Sequence, residues 1–240
     1  MGYNVIHFKS LASTQDKAKE FSKKGLSNIV IVADTQTKGR GRFKRKWHSG
    51  KNGLWMSILL RPKKAENLQY LTFAASVAVV KAIKKITGLK TSIKWPNDVH
   101  FKKKKLCGIL TESVLGKKNI AVVGIGLNVN QKKFPREIRN TAASLRIIKH
   151  RFYNIKTIMS EILREFFSLY EGFYAKNKLD YVAKLWKKHC DTTGKEIIVL
   201  AKGKRLYGKA LGIGKDCSLL LKLKNETIIK IVEGDVRIRY

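Results

Sequence analysis

Residues 28–47 read NIVIVADTQTKGRGRFKRKW, an apolar run that passes directly into a glycine- and arginine-rich segment. Residues 28–34 are rich in β-branched side chains and have the length of a strand, so we predict a buried β-strand there. Residues 36–47 carry Gly39 and Gly41 beside three arginines. Glycines allow close backbone approach to a ligand, and guanidinium groups suit carboxylates and phosphates. A loop of this composition at the end of a buried strand predicts an anion-binding site.

The whole chain has 240 residues and a formal net charge of +34, from 51 lysines and arginines against 17 aspartates and glutamates. This length permits a sizeable core, and a hydrophobic content of 44% predicts a folded protein rather than a disordered one. Such a charge is typical of proteins with a nucleic-acid partner. The lysines recur in every segment, however, which favours solvated faces over one binding tail. Composition alone leaves both interpretations open.

Several classes of protein are disfavoured by what the sequence lacks. The cysteines, Cys107, Cys190 and Cys217, form no C-x-x-C pair, which argues against a disulfide scaffold and a zinc site and indicates a reducing compartment. The longest apolar run is about half the length that a membrane span needs, and the N-terminus lacks a signal-peptide apolar region. No G-x-x-x-x-G-K-[ST] motif occurs, which excludes a P-loop. The cysteine pattern and the lack of a membrane span or a signal peptide together predict a cytoplasmic protein without a membrane partner.

Helix and strand patterns alternate along most of the chain. Ser13 or Thr14 as N-cap and Gly25 as C-cap bracket a short helix. Residues 66–86 carry apolar side chains at helical spacing and are followed by Gly88, which predicts a long helix. Further strands are predicted at residues 3–8, 53–60, 106–110 and 120–130.

Residues 92–100, SIKWPNDVH, contain a proline between two strand-like halves. Pro96 prevents the preceding residue from continuing a helix and interrupts a sheet ladder. The sequence therefore predicts a sharp bend that carries Asn97 and Asp98.

The stretch after this bend contributes one lysine and two glycines. The basic residues 102–104 predict a hairpin turn, and Lys105 stands where the next strand begins. Gly124 and Gly126 interrupt the apolar run IAVVGIGLNVN, which indicates close approach of another group to the strand backbone. The run is not a G-x-G-x-x-G fingerprint, because the third glycine is missing.

Residues 152–189 have helical periodicity, and the texture changes after Gly194 to five short apolar runs separated by turn residues. Closely spaced short strands predict a small β-barrel. We therefore predict an α+β protein, with a mixed β-sheet domain packed with helices over residues 1–190 and a small barrel over residues 191–240.

Five motifs in order point to a family. They are Ser13-Thr14-Gln15; Gln36 with Gly39-Arg40-Gly41-Arg42 and Trp47; Lys94-Trp95-Pro96-Asn97-Asp98; Lys105-Leu106-x-Gly108-Ile109-Leu110; and Gly124-Ile125-Gly126-Leu127-Asn128. Together they resemble the biotin protein ligases. KWPND is fairly specific, whereas GRGR alone would be weak. The final barrel is similar to the SH3-like C-terminal domain of those ligases, so the resemblance covers most of the chain.

The resemblance implies a two-step ligase. Biotin and Mg-ATP give biotinyl-5′-AMP and pyrophosphate, and a lysine of a biotin carboxyl carrier protein then attacks the acyl-adenylate. The first step sets a carboxylate against a phosphate of like charge, and fixed cations with Mg²⁺ remove that repulsion. The implied substrates are ATP and biotin, the implied metal is Mg²⁺, and a homodimer is left open.

The resemblance also assigns roles residue by residue. The biotin-binding residues are Ser13, Thr14, Gln15, Gln36, Gly39, Arg40, Gly41 and Lys105. The ATP-binding residues are Arg40, Arg42, Trp47, Asn97, Asp98, Lys105 and Asn128. The catalytic residues are Arg42, Asp98 and Lys105, and Asp98 is also the candidate Mg²⁺ ligand. In this assignment Lys105 bridges the biotin carboxylate and the phosphate, and Asp98 also orients the incoming lysine amine.

Two alternatives stay open, a lipoate ligase of the same fold and a basic nucleic-acid-binding protein. WPND, the GRGR loop and the C-terminal barrel together favour biotin. The chain starts at the catalytic domain, so we expect no N-terminal DNA-binding domain and no specific DNA binding. Phe43-Lys44 departs from the more glycine- and arginine-rich loop of the family.

Overall fold

The computed structural model describes residues 2–62, 66–114, 119–176, 179–201 and 203–238, and for residues 173–176 the backbone alone. In chain order the elements are β1 (Asn4–Leu11), α1 (Thr14–Lys23), β2 (Ile29–Gln36), β3 (Gly53–Leu60), α2 (Tyr70–Thr87), β4 (Ser92–Lys94), β5 (Asp98–Phe101), β6 (Lys104–Val114), β7 (Ile120–Asn128), α3 (Leu145–Lys149), α4 (Ile155–Lys176), α5 (Leu179–His189), β8 (Glu196–Ala201), β9 (Lys204–Ile213), β10 (Leu219–Leu223), β11 (Ile228–Ile231) and β12 (Asp235–Ile238). The predicted α+β class is confirmed.

The main sheet has seven strands in the order β1-β2-β3-β7-β6-β5-β4. β1 runs parallel to β2, and the other pairs are antiparallel. Alternate residues of β2 serve the two faces: Val30 and Val32 belong to the large core under α2, whereas Ile29 and Ile31 pack with Ala18 of α1. Burial on both faces explains why β2 is an unbroken apolar run.

Helix α2 is the central helix and packs against both α4 and α5. It ends at Gly88, which has a φ of 71° and donates its N–H to the carbonyl of Lys84. The predicted start at residue 66 is wrong: the helix begins at Tyr70, because Asn67 has a left-handed φ of 61° that a helix does not accommodate. Helix α3, capped by Ser144, was not predicted. None of the helices in the described ranges is long and apolar enough to cross a membrane.

The C-terminal part forms a separate antiparallel sheet of five strands in the order β11-β10-β9-β8-β12. The predicted small β domain is confirmed, although Arg239 and Tyr240 of its last predicted strand lie outside the described residues. Buried side chains of this sheet, such as Val199 and Leu219, join the apolar core under the main sheet. The division between residues 190 and 191 stays a prediction.

The two sheets meet at the turn between β4 and β5. The backbone N–H of Trp95 donates to Thr192 Oγ1 at 3.0 Å, and its indole Nε1 donates to the carbonyl of Cys217 at 3.0 Å. The N–H of Asp191 donates to the carbonyl of Ile93 at 3.0 Å. The Trp95–Pro96 peptide is cis, and the predicted bend is confirmed. The C-terminal part therefore supports the turn that carries the predicted site residues.

Candidate active site

A cavity of about 490 Å³ lies between the main sheet, the arginine loop (residues 36–47) and the C-terminal sheet. It is lined by every residue that the sequence predicted for the site except Gly39. Gly39 does not line the cavity, and an added Cβ there would stand 2.4 Å from Ser49 Oγ. The volume is in the range of pockets for small substrates and cofactors. Five motifs that are far apart in sequence thus meet around one cavity.

The arginine loop is a narrow hairpin that lies across this cavity. The N–H of Trp47 donates to the carbonyl of Gly39 at 2.9 Å, and the N–H of Gly41 donates to the carbonyl of Arg45 at 2.8 Å. At its tip, Phe43 has a left-handed φ of 54°. That conformation is costly for a bulky side chain, so contacts elsewhere must hold the tip in place.

One end of the cavity is lined mainly by neutral polar side chains. Thr14 donates its backbone N–H and its hydroxyl to Gln36 Oε1, at 2.8 and 3.1 Å. Gln36 Nε2 donates to Ser49 Oγ at 2.8 Å, and the hydroxyls of Thr14 and Ser57 are 2.8 Å apart. Ser13 is the N-cap of α1. This end therefore offers fixed donors and acceptors to a neutral polar ligand.

Glycines form the floor of the cavity. A Cβ on Gly124 would stand 2.8 Å from Gln15 Oε1, and a Cβ on Gly126 would stand 2.5 Å from Trp47 Nε1. The predicted close approach at both glycines is confirmed. Gln15 Oε1 and Trp47 Nε1 are buried and have no hydrogen-bond partner among the described residues. Both residues line the cavity, and the Trp47 ring also packs edge-on against Trp55.

The other end of the cavity is cationic around one carboxylate. Asp98 accepts from Lys105 Nζ at 2.7 Å and lies 3.6 Å from Lys94 Nζ. Burial alone would raise the pKa of Asp98, but the nearby charges of Lys105, Lys94 and Arg42 outweigh it and hold the pKa below its usual value. Asn97 is fixed by its Nδ2, which donates to the carbonyl of Ile109 at 2.7 Å.

Arg42 connects this cationic end to the C-terminal part. Its Nη1 donates to the carbonyl of Gly234 at 3.1 Å and to Asn97 Oδ1 at 3.4 Å, and its Nη2 lies 3.9 Å from Glu233. Burial lowers the pKa of the guanidinium, against the opposing effect of the carboxylates of Asp235, Glu233 and Asp98. Arg45 forms a second ion pair, with Asp235. The tip of the arginine loop is thus held by residues close to the end of the chain.

The sequence reading missed two walls of the cavity. One is the segment between β7 and α3, and the other belongs to β8 and β12. The lining residues that they contribute are Phe134, Ile138, Thr141, Ala142, Leu200, Asp235, Val236 and Arg237. Apolar residues in the otherwise polar segment after β7 were the signal available for the first wall.

The predicted Mg²⁺ site at Asp98 has a sparse donor set. Among the described residues no three His, Cys, Asp or Glu side chains cluster closely enough to hold a metal ion. The two oxygens of Asp98 face Lys105 and Lys94. Mg²⁺ in nucleotide sites is held by one or two carboxylates together with phosphates and water. These residues therefore fit an ion brought in by phosphates rather than one held by protein ligands alone.

Comparison with known proteins gives matches along most of the chain. The model described as the biotin/lipoate A/B protein ligase family matches residues 7–130, and the model described as the biotin protein ligase C terminal domain matches residues 192–239. The chain is 37% identical over 245 residues to the bifunctional ligase/repressor BirA of Bacillus subtilis, covering 99% of this chain and 75% of that protein. It is 28% identical to the biotin--[acetyl-CoA-carboxylase] ligase of Mycobacterium tuberculosis, covering 91% of this chain and 82% of that protein.

A solved structure is also similar over nearly the whole chain. It is the biotin protein ligase from Aquifex aeolicus in complex with biotin and ATP, with a TM-score of 0.87 and 34% sequence identity, covering 98% of each chain. The likeness extends over the main sheet, the helices and the C-terminal sheet, so it includes every wall of the cavity.

Proposed function

Because this chain belongs to the biotin/lipoate A/B protein ligase family, we propose that it is a biotin–protein ligase. It activates biotin with ATP as biotinyl-5′-AMP and transfers the biotinyl group to a lysine of a carrier protein. The observation that carries this proposal is the single cavity in which all five sequence motifs meet, with a neutral polar end and a cationic end.

The neutral polar end suits the ureido ring of biotin, which has both hydrogen-bond donors and acceptors but no charge. We assign the ring to Ser13, Thr14 and Gln36. Thr14 and Gln36 hold each other in place by hydrogen bonds, and Ser13 Oγ accepts from Arg40 Nη1 at 3.2 Å. Gln15 Oε1 adds a buried acceptor without a partner in the described chain. Filling an unsatisfied buried acceptor contributes to affinity, because leaving it unpaired is costly.

The cationic end suits the first half-reaction. A carboxylate oxygen of biotin attacks the α-phosphorus of ATP, the bond from that phosphorus to pyrophosphate breaks, and pyrophosphate leaves with the electron pair. Lys105 and Arg42 are assigned to the biotin carboxylate and the α-phosphate, where fixed cations reduce the repulsion between them. Asp98 keeps Lys105 in position at 2.7 Å. No protein nucleophile is required.

The nucleotide side is assigned to Asn97, Asn128 and Trp47, which line the cavity together. If Mg²⁺ is brought in with ATP, we propose that Asp98 would be the protein carboxylate that helps to hold it. When bound, Mg²⁺ would add positive charge at the phosphates. Gly39, Arg40 and Gly41 would form the part of the loop that covers the biotin side.

In the second half-reaction the carrier lysine amine attacks the acyl carbon. The carbon–oxygen bond to the phosphate breaks, AMP leaves with the electron pair, and the amine loses its proton to solvent. The lowered pKa of Asp98 keeps its carboxylate ionised, which suits an acceptor that orients the amine. The arginine loop covers the intermediate and limits its hydrolysis by water. The carrier is proposed to be the biotin-accepting domain of a carboxylase, as the name of the mycobacterial relative indicates for that protein.

The test is ATP–pyrophosphate exchange by the purified chain, measured with biotin, with lipoate and without either acid. We expect exchange with biotin but not with lipoate or without an acid, and then labelling of one lysine on a carrier domain. Exchange with lipoate but not with biotin would replace the substrate, and no exchange with either acid would refute a ligase of this family.

A further inference from the structure

Arg40 differs from the other arginines of the loop in what it contacts. Its Nη1 and Nη2 donate to the two carboxylate oxygens of Asp16, both at 2.7 Å, which makes a bidentate pair. Nη1 also donates to Ser13 Oγ at 3.2 Å, and Nη2 donates to Glu112 Oε2 at 3.3 Å. The Arg40 guanidinium is thus bound to α1 and β6 by protein groups before any ligand is considered.

Glu112 is the centre of a second set of contacts around the same guanidinium. It accepts from Gln15 Nε2 at 2.8 Å and from Lys19 Nζ at 2.8 Å, in addition to Arg40. Burial alone would raise the pKa of Glu112, but the hydrogen bonds from Lys19 and Gln15 lower it. Glu112 therefore remains ionised at neutral pH, and it connects the arginine loop to Gln15 at the cavity floor.

The arginine loop is consequently anchored at two places. Arg40 attaches one end to α1 and β6, whereas Arg42 and Arg45 attach the tip to residues 233–235. The Asp16–Arg40 pair combines opposite charges with a two-bond geometry, which makes it stronger and more directional than a single-bond surface pair. The loop is fixed at Arg40 and at its tip only when both sets of contacts are made.

We infer that Asp16 and Glu112 are positioning residues, which act through Arg40 to keep the loop closed over the acyl-adenylate. This inference rests on the proposed function. Neither acid touches the reacting atoms. Both hold the guanidinium of Arg40, and the backbone of Arg40 covers the biotin side. Their loss leaves the cationic end of the cavity intact, so it affects how long the intermediate is retained more than how fast it is formed.

A simpler interpretation gives Asp16 a local role only, because an acidic residue in the first turn stabilises a helix. That role predicts a change in thermal stability without a change in retention. Glu20 supplies the matched control: it lies one turn further along α1, and among the described residues its ion pairs are with Lys17 and Lys24.

The experiment follows release of labelled biotinyl-AMP from the preformed enzyme complex after rapid removal of free ligand. The variants are Asp16→Asn, Glu112→Gln, the conservative Asp16→Glu, and the control Glu20→Gln. We expect Asp16→Asn and Glu112→Gln to release the intermediate at least about fivefold faster, as the loss of a half-exposed charged pair permits. Pyrophosphate release in the first turnover should stay within about twofold of wild type. Asp16→Glu should retain the intermediate nearly as long as the wild type does, and Glu20→Gln should leave retention unchanged.

Unchanged retention in both Asp16→Asn and Glu112→Gln would overturn the inference. It would also be overturned if release, first-turnover rate and melting temperature all changed in parallel and Asp16→Glu gave no rescue, because that pattern indicates a structural role. If the wild-type chain released no pyrophosphate in response to biotin, the proposed function itself would fail, and the retention assay would have no intermediate to follow.

Discussion

Lys105 is the residue on which the proposed first half-reaction depends most directly. It lies 2.7 Å from Asp98 and 5.0 Å from the centre of the Trp47 ring, so its ammonium group is placed between the floor and the cationic end of the cavity. Its backbone is paired with the segment after β7, because its N–H donates to the carbonyl of Thr141 at 2.7 Å. Side chain and backbone are thus both fixed.

We expect Lys105→Ala to lower the rate of biotin-dependent pyrophosphate release by about 10²–10³-fold, the usual effect of removing one preorganised electrostatic group. Single-turnover kinetics measure this directly. Lys104→Ala is the matched control, since Lys104 is exposed at the start of the same strand. A Lys105→Ala variant with the wild-type rate would remove this lysine from the mechanism.

Asp98 gives a prediction about stability and pH. Its folded-state pKa is held below the ordinary value of 3.8. A carboxyl group with a lowered folded-state pKa stabilises the fold at pH values above its unfolded-state pKa. This contribution is lost as the pH falls through the folded-state pKa. Asp98→Asn should therefore lower the free energy of unfolding by roughly 1–2 kcal/mol near pH 7, and the difference from wild type should shrink below about pH 4.

Urea unfolding between pH 3 and pH 7 measures that difference. Asp34→Asn is the control, because Asp34 is exposed and its one ion pair within the described ranges is with His7. Its effect should stay within about 0.5 kcal/mol. A deficit of Asp98→Asn that did not depend on pH would show that the carboxyl contributes through shape rather than charge.

At the level of helices and strands, the sequence predicted most of what positions the site. The apolar run of β2, the glycines of β7 and the proline bend are local signals, and each was found where the pattern indicated it. The start of α2 was misjudged because a left-handed Asn67 breaks an otherwise acceptable helical pattern. The burial of Trp95 could not be predicted from the sequence, since only the fold shows that its indole is buried against the carbonyl of Cys217.

The β4–β5 turn yields a prediction of its own. Thr192 is fully buried, and its hydroxyl oxygen accepts the N–H of Trp95 at 3.0 Å. Thr192→Val keeps the shape but leaves that N–H without its acceptor, so we expect a loss of about 1–3 kcal/mol in stability. Because the turn carries Asn97 and Asp98, the rate of pyrophosphate release should also fall, by roughly tenfold.

Chemical unfolding and single-turnover kinetics on the same preparation separate the two effects. Thr193→Val is the control, since Thr193 is the exposed neighbour of Thr192. A Thr192→Val variant that lost stability but kept the full rate would mean that the turn holds its geometry without this hydrogen bond.

For the molecule as a whole, the contribution of the C-terminal sheet to the cavity could not be predicted. Arg42 contacts Gly234 and Glu233, and no local pattern relates residues so far apart in the chain. The pairing of Arg40 with Asp16 and Glu112 was missed for the same reason. A family motif indicates which residues serve the ligand, whereas the protein groups that hold those residues appear only when the chain is folded.

The charge of the whole chain leads to the last prediction. Among the described residues, most acidic side chains are already used in ion pairs within the protein. Lysines and arginines outnumber aspartates and glutamates by 51 to 17 in the whole chain, which leaves a net charge of +34. An excess of this kind attracts any polyanion. Duplex DNA should therefore bind without sequence preference and with an affinity that falls steeply with salt.

The reaction in the cavity should not be affected by that DNA binding. Its cavity of about 490 Å³ is too small for a duplex, and Lys105 and Lys94 are engaged by Asp98. At about 150 mM salt, where surface charges are screened beyond about 8 Å, an excess of duplex DNA should leave biotin-dependent pyrophosphate exchange unchanged. Fluorescence anisotropy of a labelled duplex and exchange assays over the same salt series test both statements. Inhibition by DNA that is competitive with ATP would show instead that the basic surface and the cationic end of the cavity form one continuous anion site.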